Sequence, residues 1–213
     1  MPTTRRRRRW PWVVAGAAIL ALIPTAILGV PILLHQDGGL SHQDDPVQDW
    51  PLSVTAVGDD GRTRQLTVLS TEPGGEPDTS ALREGDRLVV SGSGFDASQG
   101  IYVAICVIPD DPTLKPGPCI GGAPSQEAVS VEEGTIQYAP SNWINDDWAW
   151  KLFGARGYDD TTTGTFTAYL EVGDPVGEGF DCTVDACGIV TRNDHTALGD
   201  RVQDVVIPVG FSS

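Results

Sequence analysis

Residues 180–190 read FDCTVDACGIV, and only four residues separate Cys182 from Cys187. This stretch is the most informative one for the expected fold. The other two cysteines, Cys106 and Cys119, are also close together in the chain. The first 34 residues resemble a membrane-export segment, and thiols outside the cytoplasm meet an oxidising environment. An even set of four cysteines therefore predicts two disulfides, for which three pairings exist.

The N-terminal segment predicts a membrane anchor. Residues 10–34 carry no charge over 25 positions and follow the basic run Arg5 to Arg9. A helix of that length spans about 37 Å at roughly 1.5 Å per residue, more than the ~30 Å of a bilayer's hydrocarbon core. Positive flanking residues resist translocation. We therefore expect residues 1–9 to form a basic cytoplasmic tail and residues 10–34 a single-pass transmembrane helix in the plasma membrane, with the lipid bilayer as partner.

A cleaved signal peptide is the alternative for this segment, and it would leave the C-terminal domain secreted. A cleavable apolar region usually has about 7–15 residues and ends at a small-x-small site. Residues 29–34, GVPILL, offer no such site. The sequence therefore favours an uncleaved signal-anchor, with the C-terminal domain outside the cytoplasm in either case.

The charge of the body argues against nucleic-acid binding. After residue 34 the chain has 9 basic and 29 acidic residues. Such a negatively charged surface repels phosphates, and it either attracts cations or keeps the domain solvated. Residues 35–49 are polar, acidic and contain glycine, which is typical of a short flexible stalk.

From Trp50 onward, short apolar runs alternate with turn residues, and residues 50–213 are predicted to form one domain. The first two runs flank a turn at residues 59–62 and predict a hairpin. No sustained helical period occurs in the body, so the pattern predicts an all-β antiparallel sandwich. Seven strands are expected, at residues 52–57, 65–70, 87–92, 101–106, 164–172, 187–191 and 205–211.

Residues 142–160 differ from the rest because aromatic and acidic side chains crowd together there. We predict a long loop with a helical turn near residues 147–153. Its rings either form a recognition surface, since exposed aromatics dominate binding hot spots, or pack onto the sheet, which is the commoner arrangement. The five aromatic residues are Trp143, Trp148, Trp150, Phe153 and Tyr158.

The spacing of glycines and cysteines resembles the neocarzinostatin family of actinobacterial apoproteins. The resemblance covers ALREGDRLVVSGSGF at 81–95, IYVAIC at 101–106 with Cys119, and FDCTVDACGIV, closing at residues 205–211. It implies a seven-stranded immunoglobulin-like sandwich with bridges Cys106–Cys119 and Cys182–Cys187, in a divergent, membrane-anchored member of the family. The first bridge closes a 14-residue loop, worth roughly 3 kcal/mol in the chain-entropy model.

Members of that family carry an enediyne chromophore beside the first disulfide. The resemblance implies that Val107, Ile108, Pro109, Pro118 and Ile120 line the corresponding cleft. This chain differs from the family in its N-terminal segment and hairpin, in the inserted aromatic segment, and in having Ile108 where the family has an aromatic residue. The candidate ligand-binding residues are therefore Val107, Ile108, Pro118, Ile120, Trp143, Trp148, Trp150, Phe153 and Tyr158.

Catalytic, metal and cofactor sites are not predicted. The chain has no G-x-S-x-G elbow, and a hydrolase would need Ser93 or Thr196 held against His195. The paired aspartates at 110–111, 146–147 and 159–160 lack the D-x-D-x-D-G spacing of calcium loops, so a solvated face is the simpler interpretation. Arg192, Asp194 and Arg201 are expected to form a structural polar network before the last strand.

The sequence thus favours a non-catalytic binding domain for a small apolar ligand or an envelope component. The alternative is a structural or adhesion module of the cell surface without a small-molecule pocket.

Overall fold

The computed structural model describes residues 10, 12–16, 18, 29–30, 32–44, 49–69, 71, 75, 77–122 and 136–212. The chain divides into two compact units, residues 1–36 and residues 37–213.

The prediction of a single-pass membrane anchor is wrong. Among the described residues, no helix is long and apolar enough to cross a membrane. The described helical residues of the first unit are 10, 12–16, 18, 29–30 and 32–33. The sequence places proline at positions 24 and 31, and a proline ring removes an amide donor and breaks helical hydrogen bonding. The lipid bilayer is accordingly withdrawn as a partner. The predicted basic tail, residues 1–9, lies outside the described residues.

The second unit is a sandwich of two four-stranded sheets. In the first sheet the spatial order is β1-β2-β3-β6, and in the second it is β10-β9-β4-β5, with every pairing antiparallel. A two-stranded ribbon, β7-β8, lies outside both sheets. The strands are β1 Ser53–Val57, β2 Thr63–Leu69, β3 Arg87–Ser93, β4 Ile101–Val107, β5 Ser141–Ile144, β6 Phe166–Glu171, β7 Val176–Gly177, β8 Phe180–Asp181, β9 Cys187–Asn193 and β10 Val205–Val209.

The all-β class and the predicted hairpin are confirmed, but the described chain has ten strands rather than seven. The three additional strands are β5, β7 and β8. Strands β7 and β8 have two residues each, too short to show an alternating pattern. Strand β5 lies in the segment expected to be a loop, where its residues pair with β4. The helical turn expected near residues 147–153 is present as α1, Trp148–Lys151.

The core lies between the two sheets because alternate residues of each strand point inward. Strand β2 shows this as strict alternation of buried and more exposed residues. Buried positions of both sheets join in one cluster that includes Leu66, Val90, Ile105, Phe166 and Ile189. Fully burying each such side chain contributes about 1.5–3 kcal/mol to folding.

Both disulfides form with the predicted pairing, Cys106–Cys119 and Cys182–Cys187. Cys182 and Cys187 belong to the main core cluster. Cys106 and Cys119 instead form a small second cluster with Ala104 and Val190. Because Ile105 points into the core, its neighbour Cys106 points away from it, so this bridge fastens a loop onto the outer face of the second sheet.

The segment before β1 contacts the sandwich. Gln43 of the predicted stalk donates through Nε2 to the carbonyl oxygen of Val206 at 2.7 Å and accepts from the Val206 amide at 2.7 Å. These two bonds add to the hydrogen bonding along β10, an edge strand of the second sheet. Residues 45–48 of the predicted stalk lie outside the described residues.

Candidate binding face

A row of large side chains crosses the outer face of the second sheet. Tyr102 in β4 is the register partner of Trp143 in β5 and of Arg192 in β9. The Tyr102 and Trp143 ring centroids are 6.0 Å apart, and Arg192 Cζ lies 5.9 Å from the Tyr102 ring. Strand alternation explains the row, because Ile101 and Val103 on either side of Tyr102 point into the core.

Two further rings complete the cluster. Trp150 of α1 lies 5.7 Å from Trp143 and 4.7 Å from His195, centroid to centroid. His195, which follows β9, is 5.3 Å from the Trp143 ring, and its Nδ1 is 3.0 Å from the Tyr102 hydroxyl oxygen. We call Tyr102, Trp143, Trp150 and His195 the aromatic face.

The buried carboxylate of Asp194 holds this face in place. Its Oδ2 accepts from Trp143 Nε1 at 2.8 Å and from Asn145 Nδ2 at 2.9 Å. Its Oδ1 accepts from the amide and the hydroxyl of Thr196 at 2.8 and 2.6 Å. Asp194 is fully inaccessible to solvent, so these bonds offset the cost of burying its charge. The network fixes the Trp143 indole to the loop that carries His195.

A glycine makes room for this carboxylate. A Cβ atom built on Gly100 would lie only 1.9 Å from Asp194 Oδ2 and 2.3 Å from Asn145 Nδ2. Any larger residue at position 100 would therefore displace the group that positions Trp143.

Helix α1 presents apolar side chains to solvent. Asp147 caps its N-terminus by accepting from the Ala149 amide at 2.8 Å, and the Asp147 amide donates to Asn145 Oδ1 at 2.9 Å. Ala149 is buried and Trp150 is half-buried, whereas three other apolar side chains in and just after this helix are exposed. Trp148, Leu152 and Phe153 are 68%, 71% and 50% exposed, and we call them the apolar tip.

The loop closed by the first disulfide borders the face on its other side. Arg192 Nη1 donates to the Pro116 carbonyl oxygen at 2.7 Å. Arg192 thus contacts the Tyr102 ring on one side and the Cys106–Cys119 loop on the other. The aromatic segment and the disulfide loop therefore lie on the same side of the second sheet.

Ionisable groups at the edge of the face have shifted pKa values. Burial, reinforced by the charge of Asp194, raises the pKa of Tyr102 to about 12, so its hydroxyl keeps its proton at neutral pH. Burial lowers the pKa of Arg192, and burial together with the charge of Arg192 lowers that of Lys115. Burial raises the pKa of Asp204 to about 7, although Arg201 Nη1 donates to its Oδ2 at 2.8 Å.

The predicted site residues lie in several different places. Trp143 and Trp150 belong to the aromatic face, and Trp148 and Phe153 to the apolar tip. Ile120 and Tyr158 are buried in the main core, and Val107 packs against it. Pro118 is exposed, while Ile108 lies at a different concavity near the second disulfide. The residues predicted beside the first disulfide therefore do not line one common cleft.

Tyr102 and His195 were missing from the predicted set. In the sequence, Tyr102 is recognisable as a large residue at an outward-facing position of an alternating strand. His195 carried no comparable signal, because its place beside Trp150 depends on how two separate loops pack. Asp194 belongs to a structural network, as expected, but its partners are Trp143, Asn145 and Thr196.

Among the described hydrogen bonds of the His195 ring, none is to a serine, threonine or cysteine side chain. Its described hydrogen-bond partner is Tyr102, and the Thr196 hydroxyl donates to Asp194. Ser93 lies in β3 of the other sheet. In the part of the chain that the structure describes, no group of three or more His, Cys, Asp or Glu residues is placed to hold a metal ion.

Comparisons with protein families and with curated proteins find no match for this chain. A comparison with solved structures finds macromomycin, with 16% identity and a TM-score of 0.36 over 69% of this chain and 99% of that one. Macromomycin is thus a weak structural neighbour from the neocarzinostatin family. A likeness at this level does not assign the chain to a family.

Proposed function

We propose that this domain is a non-catalytic binding protein whose aromatic face takes a small apolar molecule with a planar ring. The observation that carries the proposal is the cluster of four rings, in which Trp143 is bonded to the buried Asp194 carboxylate and the Trp150 and His195 centroids are 4.7 Å apart. Membership of the neocarzinostatin family, as a divergent member, is part of the same proposal and rests on the cysteine and glycine spacing.

The arrangement suits ring stacking. Aromatic side chains supply a large contact area and lose little conformational freedom on binding. Here the Trp143 indole is fixed by its bond to Asp194, so a ligand meets a surface that is already ordered, which reduces the entropic cost of association.

Polar groups beside the rings can orient a ligand. The Arg192 guanidinium lies next to Tyr102, and the partly exposed His195 ring is hydrogen-bonded to the Tyr102 hydroxyl. A planar ligand carrying one polar substituent fits this combination of ring surface and hydrogen-bonding edge, as small-molecule sites usually combine the two.

A second candidate, a structural or adhesion module with a macromolecular partner, is favoured by the apolar tip. Three neighbouring large apolar residues are at least half exposed there. Exposed apolar groups clustered in this way mark interaction sites more often than isolated ones do.

The first experiment is an intact mass of the oxidised full-length chain under native conditions, followed by calorimetric titration with 2-naphthol. An adduct in the native mass or saturable naphthol binding, weakened at least fivefold by Trp150→Ala, supports the proposal. Val57→Ala is the control, because Val57 is an exposed residue of β1 in the other sheet, and it should bind as the wild type does.

Naphthol binding that is absent, or unchanged in Trp150→Ala, would remove the small-molecule proposal. Concentration-dependent self-association that is lost in Trp148→Ala would then favour the adhesion module.

A further inference from the structure

A second concavity lies at another part of the domain, beside the disulfide Cys182–Cys187. It encloses about 500 Å³. Five separate stretches of chain form its walls: the segment before β1, the loop before β3 at Ser80, the end of β4, the disulfide loop, and the end of β10. The lining residues that matter here are Asp49, Trp50, Ile108, Val184, Asp185 and Phe211, and we call this concavity the disulfide groove.

The walls of the groove combine apolar and polar surface in about equal measure. Trp50 is 44% exposed and Val184 80% exposed, so both present side-chain area that the fold itself does not bury. Phe211 and Ile108 add apolar surface. An exposed tryptophan on a concave wall is a residue type that dominates binding energy in protein sites.

The lack of a side chain at Gly210 leaves room for the Trp50 ring. A Cβ atom built on Gly210 would lie 3.1 Å from Trp50 Cη2 and 2.3 Å from the Ser80 carbonyl oxygen. The indole therefore rests close to the bare backbone at the end of β10, in a position that a side chain at residue 210 would disturb.

The charge of the lining is entirely negative. Asp49 and Asp185 line the groove, and no Lys, Arg or His is among its lining residues. The Asp181 amide donates to Asp185 Oδ2 at 2.8 Å, which fixes the direction of that carboxylate. Among the described ion pairs none involves Asp49 or Asp185, so the positive partner of these carboxylates is not supplied by the described chain.

We propose that the disulfide groove binds an organic cation, an ammonium group attached to an apolar body. The apolar part would cover Val184, Ile108 and Phe211, while the ammonium lies near the Trp50 ring and the two carboxylates. A tryptophan face attracts such cations through its quadrupole. The two negative carboxylates also attract the cation. A fatty acid or another anion meets repulsion at both aspartates.

This proposal is independent of the aromatic face. The two sites share no residue, and either can be removed without touching the other. Failure of naphthol binding would therefore leave the organic-cation proposal standing, and the reverse also holds.

The test is isothermal titration of the oxidised full-length chain with hexyltrimethylammonium, with 1-hexanol and heptanoate as neutral and anionic counterparts. We expect saturable binding of the cation, at least tenfold weaker binding of hexanol, and none of heptanoate. Trp50→Ala should weaken cation binding at least fivefold, and Asp185→Asn about threefold. Glu84→Gln, which removes an exposed charge elsewhere, should leave binding unchanged.

A second variant guards against misfolding of Trp50→Ala. Val184→Lys changes a residue that is 80% exposed, so the fold should tolerate it, and it places a permanent ammonium at the groove. Cation binding should fall at least tenfold in this variant. Equal binding of cation and hexanol, full binding in both Trp50→Ala and Val184→Lys, or no binding by the wild type would each overturn the proposal.

Discussion

The aromatic face and the disulfide groove are both surfaces that the core leaves uncovered, but they are kept in shape by different means. In the aromatic face, side chains are positioned by one buried carboxylate that accepts four hydrogen bonds. In the groove, one wall is a short loop that a covalent bridge closes on itself. Hydrogen bonding fixes the orientation of individual rings, whereas the bridge fixes the shape of that one loop.

Removal of the Asp194 carboxylate should have the largest effect on the aromatic face. Asp194→Ala leaves the buried donors of Trp143 and Asn145 without partners, at about 1–3 kcal/mol for each unsatisfied group. We expect the free energy of unfolding to fall by about 3 kcal/mol or more, measured by urea denaturation. Near-ultraviolet circular dichroism should show loss of tryptophan order in the folded fraction.

Thr196→Ala is the milder control for this change, because it removes one bond to Asp194 and leaves the carboxylate in place. It should cost about 1 kcal/mol. Retention of full stability in Asp194→Ala would show that the network does not position the face.

Removing the two disulfides one at a time should affect the aromatic face and the disulfide groove differently. Cys106→Ala with Cys119→Ala opens a 14-residue loop, worth about 3 kcal/mol in the chain-entropy model, and Cys182→Ala with Cys187→Ala opens a six-residue loop, worth about 2 kcal/mol. Urea denaturation of the two double variants should give losses in that order. Only the second variant should lose binding of hexyltrimethylammonium, and loss in both would show that the regions are coupled.

The edge of the aromatic face near Arg192 should make stability depend on pH. The pKa of Asp204 is about 7 in the folded chain, above the ordinary value of about 3.9 in an unfolded chain. Between these values the folded state binds the proton more tightly than the unfolded state does. The free energy of unfolding should therefore decrease as pH rises from about 4 to 7, by up to about 1 kcal/mol per pH unit.

Denaturation of the wild type and of Asp204→Asn at pH 4, 5.5 and 7 tests the direction of this pH dependence. Because the variant lacks the titrating group, its free energy of unfolding should not show this decrease with rising pH. A variant with the same pH profile as the wild type would contradict the assignment.

The smallest effect on stability is expected at the apolar tip. Trp148→Ala removes an indole that is 68% exposed, and surface changes of this kind usually alter stability by less than about 0.5 kcal/mol. An unfolding midpoint lower by several degrees would instead show that Trp148 packs more closely than its exposure indicates.

The sequence was sufficient for the larger part of the fold. Alternating runs identified β1, β2, β3, β4, β6, β9 and β10, because a strand with one buried face repeats every two residues. Close spacing of the cysteines agreed with the disulfide pairing that forms. The same logic missed β5, whose four residues become a strand only through pairing with β4.

The candidate sites show where sequence reasoning ends. Trp143 and Trp150 stood out as part of an aromatic segment, and the segment does contribute to the face. Tyr158 from the same segment turns into the core beside Phe166. The sequence could not show this, because a ring that packs in the core and a ring that binds a ligand are the same residue types.

By itself, then, the sequence determined the all-β class, seven of the strands and the two bridges, because periodicity and cysteine spacing are local properties of a chain. Tertiary structure decided which rings meet. Tyr102 and Trp143 become neighbours through sheet register, and Trp150 and His195 through the packing of two loops. The disulfide groove forms where five separate segments of the chain meet. Contacts of that kind depend on the relative positions of whole elements, which no single stretch of sequence encodes.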